Sequence, residues 1–269
     1  MSAQVEPTAM TPKPIAWMDG RVVPAAEATV PLLDNGFLRG DAVFEAVLVR
    51  RGRTHALEAH LARLRRSAKA MGIRLPVLRQ VVADLLAAWG ERDGALKLIV
   101  TRDGTVRGIL HRPGWPDSIA LEPIEIPWAS ALTGVKTLSY AVNSWASRQA
   151  RIAHSDDALI TSDGVVLEVP TAAFAWVREG MIHAPDWTQL PILDSITLSE
   201  LRKVVDLKLG VYRLEEVLTA EEAFVLSATR PVLPVHAIGD LEFAAPGPVT
   251  AETRAAFAAH VDANLDQLP

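Results

Sequence analysis

The chain has 269 residues, no cysteine, 49% hydrophobic residues and a formal net charge of −5. That length can bury a large core in one domain or two. The missing cysteines exclude disulfides, thiolate metal sites and cysteine nucleophiles. Mild acidity without a basic run gives no reason to expect nucleic acid, and no window approaches a membrane span, so a cytoplasmic location is the default expectation.

Residues 1–14 are polar and Pro-rich, lack an apolar secretory core and read as a disordered extension. Ala16–Met18 and Arg21–Val23 flank Asp19-Gly20 and predict a hairpin, since that dipeptide supplies the positive φ angles of a tight turn. Phe44–Val49 is an apolar strand. Leu57, Leu61, Leu64, Ala68 and Met71 share one helical face, and Gly72 closes a helix over Leu57–Met71. Pro76 opens a second helix through Trp89; Leu96–Arg102 and Ser118–Ile126 read as strands. Pro127-Trp128-Ala129-Ser130 looks like a linker. Beyond it the expected elements are a strand at Val135–Ser139 and a helix at Ser144–Ala153. Hairpins follow over Asp163-Gly164 and Glu179-Gly180, then a helix at Thr197–Leu209. Strands at Ala223–Ser227 and Val232–Ala237 and a helix at Glu252–Leu265 end the chain. Clustered rather than alternating strands favour an α+β class. The expected division is a small α+β domain over 15–126, a linker over 127–132 and a larger α+β domain over 133–269.

Lysine is scarce: Lys13, Lys69, Lys97, Lys136, Lys203 and Lys208 stand against a background of arginine. A neutral primary amine can condense with an aldehyde and a guanidinium cannot. Lys136 lies in the β-prone, mostly uncharged stretch Gly134–Tyr140, and Glu168 ends the apolar run Gly164–Leu167. Each has an ordinary reading, a strand lysine snorkelling to water and an acid at an edge strand. Together, a buried amine and a buried carboxylate are the minimum set for pyridoxal phosphate chemistry, because a carboxylate against the pyridine nitrogen keeps it protonated. Lys97 is the close rival, alternating with Leu96, Leu98 and Val100 and so facing away from them. Arg63 borders the buried face of its helix, either solvated or a bidentate phosphate clamp. Leu193–Thr197 opens a helix with Asp194 or Ser195 as its N-cap, or offers backbone amides to a phosphate. Arg107, on a glycine-containing loop, either meets solvent or reaches a substrate carboxylate. The histidines show no metal-ligand spacing, and no metal is expected.

Taken together, these residues resemble the fold-type IV pyridoxal phosphate enzymes, the class IV aminotransferase family, over almost the whole chain. Asp34–Glu45 is similar to the family's D-x-G-x-x-x-G-D-x-x-F-E segment, which includes Arg39 and Phe44. His60-Leu61-Ala62-Arg63-Leu64 is similar to H-x-x-R-L, whose arginine binds the cofactor phosphate. Val135–Tyr140 resembles the segment of the cofactor-bearing lysine, Gly164–Glu168 the G-x-V-x-E segment, and Ile196-Thr197 the phosphate-binding I-T. Departures are Val169–Ala173 after the glutamate, Ser195 before I-T and Leu198 after it. The resemblance implies a two-domain α+β fold, pyridoxal 5'-phosphate in the interdomain cleft with the larger domain as its main holder, and a homodimer.

Within the family, Ala95–Arg102 followed by Arg107-Gly108, and Ser227–Val235, resemble 4-amino-4-deoxychorismate lyases. The resemblance therefore implies a lyase that yields 4-aminobenzoate and pyruvate. Lys136 would be catalytic. Arg63, Tyr140, Glu168, Ser195, Ile196, Thr197, Ser227, Ala228 and Thr229 would hold the cofactor. Phe44, Arg39, Lys97, Arg107 and Arg230 would face the substrate. The alternatives are an aminotransferase acting on D-amino acids or R-amines, and a catalytically silent member with a binding role.

Overall fold

The computed structural model describes residues 12–127 and 131–267. Asp19 and Gly20 take φ angles of 51° and 85° and turn β1 (Ile15–Met18) into β2 (Arg21–Pro24), as the sequence predicts. Next come α1 (Asn35–Arg39), β3 (Ala42–Arg50), β4 (Arg53–Thr54), α2 (Leu57–Met71), α3 (Arg79–Trp89), β5 (Gly94–Thr101) and β6 (Val106–His111). The six strands form one antiparallel sheet in the order β2-β1-β6-β5-β3-β4.

Side chains alternate across its strands. Val43, Val47, Val49, Leu96, Leu98 and Val100 enter one core with the apolar faces of α2 and α3. Phe44, Ala46 and Lys97 point the other way, into a cavity. Gly72 stops α2 in the left-handed region, where its N–H donates to the carbonyls of Ala68 and Lys69.

The second part contains β7 (Ile119–Glu125), α4 (Ala141–Ile152), β8 (Asp157–Ser162), β9 (Val165–Val166), β10 (Ala173–Arg178), β11 (Met181–Pro185), α5 (Ile196–Leu201), β12 (Leu207–Gly210), α6 (Leu214–Val217), β13 (Glu222–Ser227), β14 (Arg230–Ile238), β15 (Leu241–Glu242) and α7 (Pro248–Ala263). Its nine-stranded mixed sheet runs β12-β11-β10-β13-β14-β7-β8-β9, with β15 on β14. Phe174, Trp176 and Val225 pack on one face. Ala175, Val177, Phe224 and Leu226 meet Leu198 and Leu201 of α5 and Phe257 and Val261 of α7 on the other. The class is α+β, with two sheets.

Several local expectations change. Residues 135–139 are not a strand; one bridge pairs Val43 with Thr137, and the rest is irregular. The helix expected through Leu209 ends at Leu201, because Leu207 and Leu209 pack into the core as β12, parallel to β11. Arg107 lies on strand β6 rather than on a loop. Strand β7 belongs to the nine-stranded sheet through β14 and β8, so we propose that the division between the two parts falls between His111 and Ile119. The expected disordered extension falls largely on residues 1–11, and part of the expected linker on 128–130; both lie outside the described residues. Among the described residues no helix is long and apolar enough to cross a membrane.

Candidate active site

A cavity of about 590 Å³ opens where the free face of β3 and β5 meets the nine-stranded sheet. The segment carrying Lys136 crosses it, held by three backbone hydrogen bonds. Phe44 N–H donates to the Lys136 carbonyl (3.1 Å), Leu138 N–H to the Ala42 carbonyl (2.9 Å), and Lys136 N–H to Ser67 Oγ on α2 (3.0 Å). The backbone is thus fixed on both sides of the residue while the side chain stays free to enter the cavity. Its Nζ lies 4.6 Å from the centre of the Phe44 ring, and no carboxylate pairs with it among the described residues.

Glu168 follows β9, its backbone held by Ile160 N–H donating to its carbonyl (2.9 Å). Both side chains line the cavity, and both are strongly desolvated. Burial, helped by Arg63, brings the Lys136 amine down to about 8 against the opposing pull of Glu45 and Glu168. Burial lifts the Glu168 carboxyl to about 7, against the pull of Lys136, the Leu193 N–H and Arg63. Tyr140, at the N-cap of α4, meets the Phe44 ring edge-on at 5.4 Å. Burial raises its phenol, so it stays a hydrogen-bond donor.

Arg63 reaches the same space from α2, supported from behind. Its Nε and a terminal nitrogen donate to Glu45 at 2.7 and 2.8 Å, and the other terminal nitrogen donates to the Asp194 carbonyl at 2.8 Å. His60, one turn earlier, places Nδ1 2.8 Å from Glu45. Burial alone would raise the Glu45 carboxyl, but the charge and hydrogen bonds of Arg63, helped by His60, hold it near 2. Of the five N–H donors of a guanidinium, those three are engaged and the remainder are available to a ligand. Ser195 caps α5, its Oγ accepting from Leu198 N–H. Ser195, Ile196 and Thr197 line the cavity beside Arg63. Ser227, Ala228 and Thr229 line it too, at the tight turn from β13 to β14.

The sequence reading did not assign Glu45 a role. A lone acid inside the apolar run Ala42–Val49, with His60 and Arg63 on one face of the following helix, was the available signal.

Two further cations face the cavity. Lys97 is paired with Ala46 across β3 and β5 and holds Nζ 4.6 Å from the Phe44 ring centre; burial lowers its pKa. Arg230 donates to Thr171 Oγ1 at 2.6 Å and lies over the Trp115 ring at 4.6 Å. Its Nε is buried without a partner, and burial lowers its pKa. Neither cation has a carboxylate partner among the described residues. The other two arginine candidates do not reach the cavity. Arg107 is spent on the Thr29 carbonyl (2.7 Å), Asp19 (3.1 Å) and the Val106 carbonyl (2.7 Å). Arg39 is exposed on α1 and donates to Asn35 Oδ1. Local acceptors, invisible in the sequence, decide both cases.

The arrangement fits pyridoxal phosphate. An amine free of ion pairing sits in a cavity within the usual size range for cofactor sites, roughly 300–1,000 Å³. A carboxylate and a phenol share that cavity, and a guanidinium with spare donors lies beside two hydroxyl side chains.

Comparison with known proteins agrees. The family described as "Amino-transferase class IV" matches residues 42–238. A D-alanine aminotransferase of Bacillus licheniformis is 27% identical over 267 residues, covering 89% of this chain and 94% of that protein. A bifunctional aminodeoxychorismate lyase / D-amino acid transaminase of Mycobacterium tuberculosis is 32% identical over 234 residues, covering 72% of this chain and 78% of that one. The structure of a hypothetical aminotransferase from Mycobacterium tuberculosis in its PLP-bound form superposes with a TM-score of 0.84 at 24% identity, over 93% of this chain and 99% of that chain.

Proposed function

The chain belongs to the class IV aminotransferase family, with that family's fold-type IV architecture and pyridoxal 5'-phosphate cofactor, and on that premise we propose that it is a lyase converting 4-amino-4-deoxychorismate to 4-aminobenzoate and pyruvate. The observation that carries the choice of substrate is the pair Lys97 and Arg230. An unpaired cation in a desolvated site is costly, and a ligand bringing a carboxylate to each relieves both. The proposed substrate has two carboxylates and one amine. D-Alanine has a single carboxylate and satisfies only one of them.

When bound, the cofactor supplies an aldehyde for the substrate amine and a ring that draws electrons from the bond being broken. Lys136 holds the cofactor and is then the proton carrier. Its Nζ takes the proton from the carbon bearing the amine and returns one to the departing three-carbon fragment. A pKa brought down to about 8 suits both directions near neutral pH. Glu168 would hold the ring nitrogen, and Tyr140 would donate to the ring oxygen. The spare Arg63 donors, the Ser195 and Thr197 hydroxyls, the backbone at Ile196 and the turn Ser227-Ala228-Thr229 would bind the phosphate. Glu45 keeps Arg63 aimed. Phe44 and Trp115 would supply apolar walls for the substrate ring. Departure of pyruvate leaves an aromatic ring, which drives the reaction forward.

The relatives named above also support a second reading, transamination of D-amino acids. An assay settles the choice. Purified enzyme given 4-amino-4-deoxychorismate should form 4-aminobenzoate, and enzyme given D-alanine alone should keep its cofactor spectrum. Conversion of the cofactor to its amine form by D-alanine, without 4-aminobenzoate production, would replace the lyase with the transaminase.

A homodimer is part of the proposal. Leu32, Leu33 and Phe37 expose 73%, 81% and 62% of their surface around α1, an apolar patch that a second copy would cover.

A further inference from the structure

We propose that His55, Glu200 and His260 form a binding site for one divalent transition-metal ion, of which zinc is the representative, at the seam where the start of α2 meets α5 and α7. One donor atom from each of the three side chains lies within 4.8 Å of the other two. His260 Nε2 and Glu200 Oε2 are 3.1 Å apart. Two donors on one tetrahedral ion, with bonds of about 2.0–2.2 Å, are separated by on the order of 3.4 Å. The pair needs little adjustment to admit an ion between them.

His55 supplies the independent observation. It is 6% exposed, and neither ring nitrogen has a hydrogen-bond partner among the described residues. What engages the ring is edge-on contact with Phe257 and His260, at centroid distances of 6.3 and 5.8 Å. An imidazole whose ring nitrogens no neighbouring side chain engages is open to a ligand, and a metal ion held with Glu200 and His260 fits it.

One outer partner orients a ligand as in metal sites: Lys203 Nζ holds the other Glu200 oxygen at 2.7 Å. Two imidazoles and one carboxylate suit zinc far better than magnesium or calcium, with water left for the fourth position. The ligands come from positions 55, 200 and 260, which is why histidine spacing gave no sign of them. None of the three lines the cavity. The site ties the start of α2, which carries Arg63, to α5, which carries Thr197. An ion there would brace two elements that deliver proposed phosphate-binding residues. The competing reading, a Glu200–His260 hydrogen bond complete without metal, is an outcome of the test.

Chelator-treated holoenzyme is titrated with Zn²⁺ by calorimetry, with thermal unfolding followed in parallel. One equivalent should bind saturably and raise the melting temperature. His260→Ala and Glu200→Gln should each weaken binding at least tenfold while leaving cofactor absorbance unchanged. Should His260→Ala fail to fold, His260→Gln keeps a polar side chain without the imidazole and carries the same test. Absence of saturable binding, or wild-type affinity in either variant, overturns the proposal.

Discussion

Glu45 carries no exposed surface, yet it accepts from Arg63 and lies within hydrogen-bond distance of His60. Replacing it by Gln would leave a buried guanidinium without its counter-charge, a change that costs about 3–5 kcal/mol. Denaturant unfolding of Glu45→Gln should show a loss of that order, with weaker retention of pyridoxal phosphate in equilibrium dialysis. The sign of the pH effect follows from its carboxyl being held near 2 against an ordinary 4.5. The wild-type advantage is full above 4.5 and should shrink as pH falls toward 2. A gap that stays constant over that range would remove the ion pair from the explanation.

Arg230 and Lys97 are tested by Arg230→Met and Lys97→Met. A charged hydrogen bond is worth about 1.5–3 kcal/mol, so the KM for a dicarboxylate substrate should rise roughly ten- to hundredfold, with cofactor absorbance intact. An unchanged KM in both variants would sink the two-carboxylate reading. Lys136 and Glu168 stood out in the sequence because each is a charged residue in an apolar, β-prone setting. Arg107 and Arg39 misled, because an arginine's reach is set by which acceptors surround it in the fold.

At the level of elements, the stretch bearing Lys136 depends on its neighbour at Gly40. That residue has φ +70°, and a Cβ there would meet Ser139 Cα at 3.2 Å and its nitrogen at 3.3 Å. Gly40→Ala should lower stability by about 1–2 kcal/mol, the usual cost of the left-handed region for a side chain. It should also push on the segment that holds Lys136. A matched shift in melting temperature and in cofactor absorbance checks this; a change in stability alone would separate the two effects. Helix α2 was legible residue for residue, since one apolar stripe and a closing glycine define it without tertiary help. The stretch at 135–139 was not, because its β-prone residues pair with β3 at a single bridge and answer otherwise to Ser67 and Ala42. The helix expected through Leu209 failed for a related reason: Leu207 and Leu209 suit a strand beside β11 as well as a helix face.

For the whole molecule, the cavity draws on both sheets, and its electrostatics load the apoprotein with strain. Burial lowers Lys136 to about 8 and raises Glu168 to about 7. A lysine depressed from 10.5 adds stability as pH climbs from 8 to 10.5, because the unfolded chain then binds the extra proton. A glutamate elevated from 4.5 removes stability as pH climbs from 4.5 to 7, because the folded chain binds it. Their joint contribution is therefore poorest between about pH 7 and 8. The gain in melting temperature on adding pyridoxal phosphate should peak in that window; a gain flat with pH would count against the pair as its source. Arg63 and Ser67 lie one turn apart on α2, about 6 Å along a rigid axis. Ser67 fixes the start of the lysine's arm, and Arg63 marks where, under the proposed function, an anionic tail would end. The helix is a ruler, and pyridoxal lacking its phosphate, too short to touch both marks, should dwell in the cavity only briefly.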